Sequence, residues 1–104
     1  MAVRHWNEAI DGPFSEAALR RKLETAGYMV ARYTYPSGTT FPDHVHEIDK
    51  IDAVVAGRFR MVVAGHLAML GPGDWIEVAR GIRHSAAVIG DEDVVSLDAA
   101  RRDS

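Results

Sequence analysis

The chain contains no cysteine, no long apolar run and no basic tail. Without cysteine it can form neither a disulfide framework nor a thiolate site, so any metal must be held by histidines and carboxylates. Its uncharged runs are too short to cross a bilayer, and a net charge of −3 argues against nucleic acid as the main partner. We therefore expect neither a membrane partner nor a nucleic acid partner.

The length of 104 residues is that of a single domain whose core needs no cross-links. The opening segment, MAVRHWNEAIDGP, lacks the basic and then apolar pattern of a secretory signal. This favours a cytoplasmic location.

One short helix is predicted over residues 15–26. Ser15 can cap its first turn and Gly27 can end it. Leu19 and Leu23 lie on one apolar stripe, so the helix should rest on a surface and not inside the core.

From Tyr28 onward the sequence changes to β-branched and aromatic runs divided by glycine. About eight short strands fit this pattern, which indicates a sandwich or a barrel. We expect one domain overall, with residues 1–27 forming an arm and the helix, packed on a barrel of residues 28–104.

The segment GTTFPDHVHEIDK places two histidines one residue apart. Alternation along a strand would send His44, His46 and Lys50 to the same face unless a bulge intervenes. Such a pair can hold a metal, but exposed histidines or polar core histidines give the same pattern. A second segment, GPGDWIEVARGIRH, delivers His84 after two turns.

These two segments resemble the motifs of the cupin family. The first motif, G-x5-H-x-H-x3-4-E-x6-G, is met by Gly38, His44, His46 and Gly57, with Lys50 at the place of the glutamate. The second motif, G-x5-P-x-G-x2-H-x3-N, is met less completely. Gly73, Gly81 and His84 match it, whereas Ala79 stands in place of the proline and Val88 in place of the asparagine.

The resemblance covers roughly residues 33–98 and implies an all-β fold, the cupin double-stranded β-helix or jelly-roll barrel. It implies that His44, His46 and His84 face a cavity and bind a divalent ion, which in this family is iron, manganese, nickel, cobalt or zinc. Three imidazoles leave coordination positions open for water or substrate. The alternative is a cupin that has lost its metal and keeps the histidines as polar lining.

The function implied by the resemblance is the binding of a metal and a small organic ligand in the barrel. The protein would then be a metal-dependent dioxygenase, isomerase or lyase. The alternative is a non-enzymatic module that binds or senses a metabolite or sugar.

Lys50 is the candidate catalytic residue. Next to a metal, its ammonium must hold an anionic substrate group, lose its proton and act as a base, or pair with a carboxylate such as Glu77. Glu77 shares a strand face with Trp75 and could point into the barrel, although an outward, solvated position is the simpler expectation.

A homodimer is also expected, because cupin-like barrels often pair through a sheet. The surface expected to be left uncovered consists of the arm with Trp6 and the helix stripe of Leu19 and Leu23.

Overall fold

The computed structural model describes residues 2–102 as two facing antiparallel sheets with two short helices at the N-terminal end. In chain order the elements are β1 (Arg4–His5), α1 (Glu8–Asp11), α2 (Glu16–Thr25), β2 (Tyr28–Tyr35), β3 (Thr40–His44), β4 (Lys50–Ala56), β5 (Arg58–Val63), β6 (His66–Leu70), β7 (Asp74–Val78), β8 (His84–Ile89) and β9 (Val94–Arg101). One sheet has the strand order β1-β7-β4-β9-β2 and the other β3-β8-β5-β6. The predicted all-β jelly-roll fold is confirmed.

The main core fills the space between the two sheets. Val54 and Val94 of the five-stranded sheet meet Phe59, Met61 and Leu70 of the four-stranded sheet in one buried cluster. Inward residues alternate with outward ones along each strand, as expected for two sheets that share one core. Near the end of β3 and the start of β8, histidine side chains take the place of this apolar core and line a cavity.

Helix α2 covers the outer face of the five-stranded sheet. The hydroxyl of Ser15 accepts a hydrogen bond of 3.0 Å from the backbone N–H of Ala18, which fixes the start of the helix as predicted. Leu19 and Leu23 are 0% and 2% exposed because they pack with Leu97 and neighbouring side chains of this sheet. The apolar stripe is therefore buried against the sheet of the same chain.

Because of this packing, the surface that we expected to form a dimer is wrong. The helix stripe of Leu19 and Leu23 is not available to a second copy, and Trp6 is only partly exposed, with its ring edge-on to Phe14 at a centroid distance of 5.5 Å. Exposed apolar side chains lie elsewhere, among them Met29 and Leu67.

The N-terminal arm holds more regular structure than predicted. Strand β1 joins the barrel sheet, with Arg4 opposite Trp75, and the N–H of Trp6 donates to the carbonyl of Gly73 at 2.9 Å. Asn7 caps the four-residue helix α1. A strand of two residues and a helix of one turn are too short to produce a periodic pattern, so the sequence could not reveal them. No helix in residues 2–102 is long and apolar enough to span a membrane.

We predict that Leu19→Ala lowers the free energy of unfolding by about 2–5 kcal/mol, because it leaves a cavity where the helix meets the sheet. Urea denaturation followed by circular dichroism measures the change. The matched control is Leu67→Ala, since Leu67 is 66% exposed and its truncation should change stability by less than about 0.5 kcal/mol. Equal losses in the two variants would contradict this account of the helix.

Candidate metal centre

Strands β3 and β8 place two histidines side by side. His44 ends β3 and lies directly opposite His84, the first residue of β8, after a register shift between Phe41 and His44. Opposed residues of an antiparallel pair project to the same face of the sheet. Both imidazoles therefore enter the barrel interior, with ring centroids 4.1 Å apart.

The third histidine comes from a loop. His46 follows the end of β3, and its carbonyl accepts a 2.8 Å hydrogen bond from the N–H of Gly81. Gly81 has a φ of +77°, which favours glycine. The N–H of Arg80 donates to Asp49 Oδ1 at 2.9 Å, so the turn before β8 holds both ends of the loop between β3 and β4.

The local structure here differs from the prediction that three residues share one strand, but their side chains still meet. His44, His46 and Lys50 do line one cavity, but they do not lie on one strand. The chain leaves β3 at His44 and enters β4 at Lys50, so a turn and not strand alternation brings them together.

The three histidines form a cluster suited to a metal. One ring nitrogen from each of His44, His46 and His84 lies within 4.8 Å of the other two. In a tetrahedral site, nitrogens about 2.0–2.1 Å from zinc lie about 3.4 Å from one another. From separations of up to 4.8 Å, the three nitrogens would approach one another by up to about 1.4 Å around an ion. Three imidazoles are a ligand set that fits a divalent ion.

Two hydrogen bonds define which nitrogens face the centre. Nδ1 of His44 lies 2.7 Å from the carbonyl of Pro42, and Nδ1 of His84 lies 2.9 Å from the carbonyl of Ile82. A carbonyl can only accept, so each Nδ1 carries a proton, and in the neutral imidazole Nε2 then has the free lone pair. This arrangement is typical of metal-binding histidines.

Burial favours the neutral form of two of the three histidines. It lowers the pKa of His46, and the charges of Lys50, His44 and His84 lower it further while Asp98 opposes them. Burial also lowers the pKa of His84, against the effect of its hydrogen bond to Ile82. Neutral imidazoles are the form that binds metals.

A cavity of about 200 Å³ adjoins the three histidines. One part of its wall is apolar and the rest carries the histidines and charged groups. The lining residues are Tyr35, Phe41, His44, His46, Lys50, Asp52, Phe59, Met61, His84, Ala86 and Asp98.

Lys50 faces this cavity and forms an ion pair with Asp98. Its Nζ lies 2.5 Å from Asp98 Oδ1, and the two side chains are only 15% and 24% exposed. The predicted pairing with Glu77 is wrong. Val78 is the residue opposite Lys50, whereas Glu77 is exposed on the outer side of β7, the side on which Trp75 packs against the helix.

Sequence reasoning missed Asp52, Asp98 and Tyr35 as cavity residues. Each aspartate lies within a largely apolar strand, and this feature of the sequence could have marked both as cavity residues. Alternation alone did not reveal that they meet, because their pairing depends on the register of β4 with β9, where Asp52 lies opposite Asp98.

A small jelly-roll barrel with a three-histidine cluster at its cavity defines the class of protein. The sequence pattern of the family described as "Cupin domain" matches residues 31–99, and the chain belongs to this family. No functionally curated protein matched the chain.

Several solved structures share the fold. KdgF from a Halomonas species is 25% identical, with a TM-score of 0.64 and coverage of 75% of this chain and 72% of that one. The DMSP lyase DddQ from Ruegeria pomeroyi is 27% identical, with a TM-score of 0.66 and coverage of 74% and 39%. Salicylate 1,2-dioxygenase from Pseudoaminobacter salicylatoxidans is 21% identical, with a TM-score of 0.67 and coverage of 72% and 22%. At 21% identity the dioxygenase shares the fold alone.

Proposed function

We propose that the protein binds one divalent metal ion through His44, His46 and His84 and acts as a metal-dependent enzyme on a small organic ligand in the adjoining cavity. The observation that carries this proposal is the convergence of three imidazoles, two of them held by hydrogen bonds from Nδ1 that leave Nε2 directed at the centre. Iron, manganese, nickel, cobalt and zinc are the candidate ions. Such an ion would supply Lewis-acid polarisation or an activated water.

The size of the cavity limits the ligand. Drug-sized molecules occupy pockets of about 300–1,000 Å³, and this cavity is about 200 Å³. A ligand smaller than a drug-sized molecule therefore fits.

The charges near the metal centre favour an anionic ligand. A bound dication would repel the Lys50 ammonium, which a carboxylate must compensate. Asp98 already meets this need within the protein. A ligand carboxylate that bound the metal could compete for Lys50, so recognition of an anion by this lysine is part of the proposal.

The reaction class is dioxygenase, isomerase or lyase. Three protein ligands leave open coordination positions, as catalytic centres require. One of the structural relatives, at 27% identity, is a lyase. The alternative is a non-enzymatic module that only binds or senses a small metabolite or sugar, for which the same cavity would serve.

We further propose a homodimer formed through strand β2. Within the part of the chain described, β2 lies at the end of its sheet and pairs with β9 alone. Met29 and Tyr33 on this strand are 61% and 47% exposed. A second copy would cover these side chains and protect an edge strand of eight residues.

The metal proposal predicts about one divalent ion per chain in protein purified without chelators. His84→Ala should weaken zinc binding at least about tenfold, because it removes one of three ligands. Elemental analysis and isothermal titration measure both quantities. His66→Ala is the control, since His66 is exposed on β6 and should not matter. Absence of metal together with equal titrations for the parent and His84→Ala would refute the proposal.

The Lys50 proposal predicts opposite effects for two variants. Lys50→Glu should tighten zinc binding by about tenfold or more, because it removes a repelled cation and adds an anionic ligand. Lys50→Met should keep the metal and weaken the binding of a carboxylate ligand, with oxalate as the probe. If Lys50→Glu binds zinc no better than the parent protein, Lys50 does not occupy a ligand position.

The dimer proposal predicts twice the chain mass in light scattering at micromolar concentration. Tyr33→Lys should shift the mass toward the monomer, because it places a charge in the proposed interface. Ile10→Lys is the control, since Ile10 is 80% exposed and lies on α1, outside β2. A monomeric parent protein would contradict the proposal.

A further inference from the structure

Two carboxylates in the cavity have no role in holding the metal. Asp52 on β4 and Asp98 on β9 lie opposite each other in the register of the five-stranded sheet. Both line the cavity that the three histidines line from β3, β8 and their loop. The histidines and the carboxylates therefore bound one space from different sheets.

Among the described residues that line this cavity, Lys50 is the one lysine or arginine beside the two carboxylates. Lys50 Nζ contacts Asp98 Oδ1, and none of the ion pairs within residues 2–102 includes Asp52. Two neighbouring carboxylates repel each other when both are ionised, so one of them is driven to hold a proton. Burial and then the charge of Asp98 raise the pKa of Asp52 to about 6, against the smaller effects of Lys50 and His44.

The other groups around Asp52 do not serve as the proton donor and acceptor of the cavity. Tyr35 reaches the cavity from β2, and burial together with the charges of Asp98 and Asp52 raises its pKa to about 12, so it stays neutral. Ser96 on β9 is fully buried and carries no charge. Lys50 pairs with Asp98, and the remaining titratable groups of the cavity are the three histidines, all of which the metal proposal uses.

Placing both aspartates here costs stability. Apolar side chains at these positions would stabilise the fold more, because burying carboxylates with too few cations is unfavourable. Pairs of titratable groups whose environments separate their protonation states are typical of acid and base roles. The position of the pair on the wall of the proposed ligand cavity supports such a role.

We propose that Asp52 and Asp98 are the proton-transfer pair of this cavity, acting on a small carbonyl compound that has a hydrogen on the carbon next to the carbonyl. This rests on the proposed metal-dependent function and selects isomerase or lyase chemistry over oxygen chemistry.

The step balances without an oxidant. The Asp98 carboxylate takes the proton from the carbon, and the C–H electron pair becomes the C=C bond of an enol. The carbonyl π pair moves to its oxygen, which receives the proton of Asp52. Asp98 ends protonated and Asp52 ionised, and a proton returned to a carbon reverses or completes the isomerisation.

The first test measures deuterium exchange in D₂O by proton NMR, with zinc-loaded protein and two probes, pyruvate and hydroxyacetone. The parent protein should exchange the protons next to the carbonyl of at least one probe at least about tenfold faster than zinc-treated His84→Ala protein. Asp52→Asn and Asp98→Asn should each slow this exchange by about 100-fold, in the range of acid–base catalysis. Both variants should still bind zinc. Glu77→Gln, which removes an exposed carboxylate on the outer face, should exchange like the parent.

The second test needs no metal and no substrate. Carbon-13 NMR of aspartate carboxyls in the metal-free protein should find Asp52 titrating near pH 6, and Asp98→Asn should move this titration downward by removing a neighbouring charge. If the parent exchanges neither probe, if both Asn variants exchange like the parent, or if Asp52 titrates as an ordinary aspartate, the proposal is overturned. Loss of zinc binding by the parent would instead refute the metal proposal.

Discussion

The pairing of β3 with β8 is the constraint on which the rest of the site depends. It sets His44 opposite His84, and the hydrogen bond from Gly81 to the carbonyl of His46 brings the third imidazole to the same point. Because strands are held in register by their whole ladder, these positions are fixed by backbone and not by flexible side chains. A metal would therefore meet three ligands whose backbone positions are already set.

Charge balance is the second constraint, and it links the two sheets. The lysine at position 50 brings a cation next to the histidines, where the family motif has a glutamate. Asp98 compensates this cation directly, and Asp52 lies opposite Asp98 in the same sheet. The family motif has a carboxylate at position 50, whereas in this chain the carboxylates of the cavity lie at position 98 on β9 and at position 52 on β4. Replacement of the glutamate alone is therefore no evidence that the cavity has lost its metal.

The sequence was sufficient for features that depend on near neighbours. Ser15 and the Leu19 and Leu23 stripe identified the helix because a cap and a period of about 3.6 residues are local signals. The three histidines were identified because their spacing resembles that of the family motifs. The motif glycine Gly57 also has a local reason, since a side chain there would collide with the carbonyl of Asp93.

Features that depend on strand register and on which face is covered could not be predicted in this way. Alternation correctly placed Glu77 on the same side as Trp75, but only the packing of α2 on Trp75 reveals that this side is the outer one. In the same way, Asp52 and Asp98 become partners only when β4 and β9 pair. The three histidines come from one sheet and its loop, whereas the acidic pair comes from the other sheet. Since no strand carries both sets, the proposed metal binding and the proposed proton transfer depend on different backbone elements and can be tested by separate substitutions.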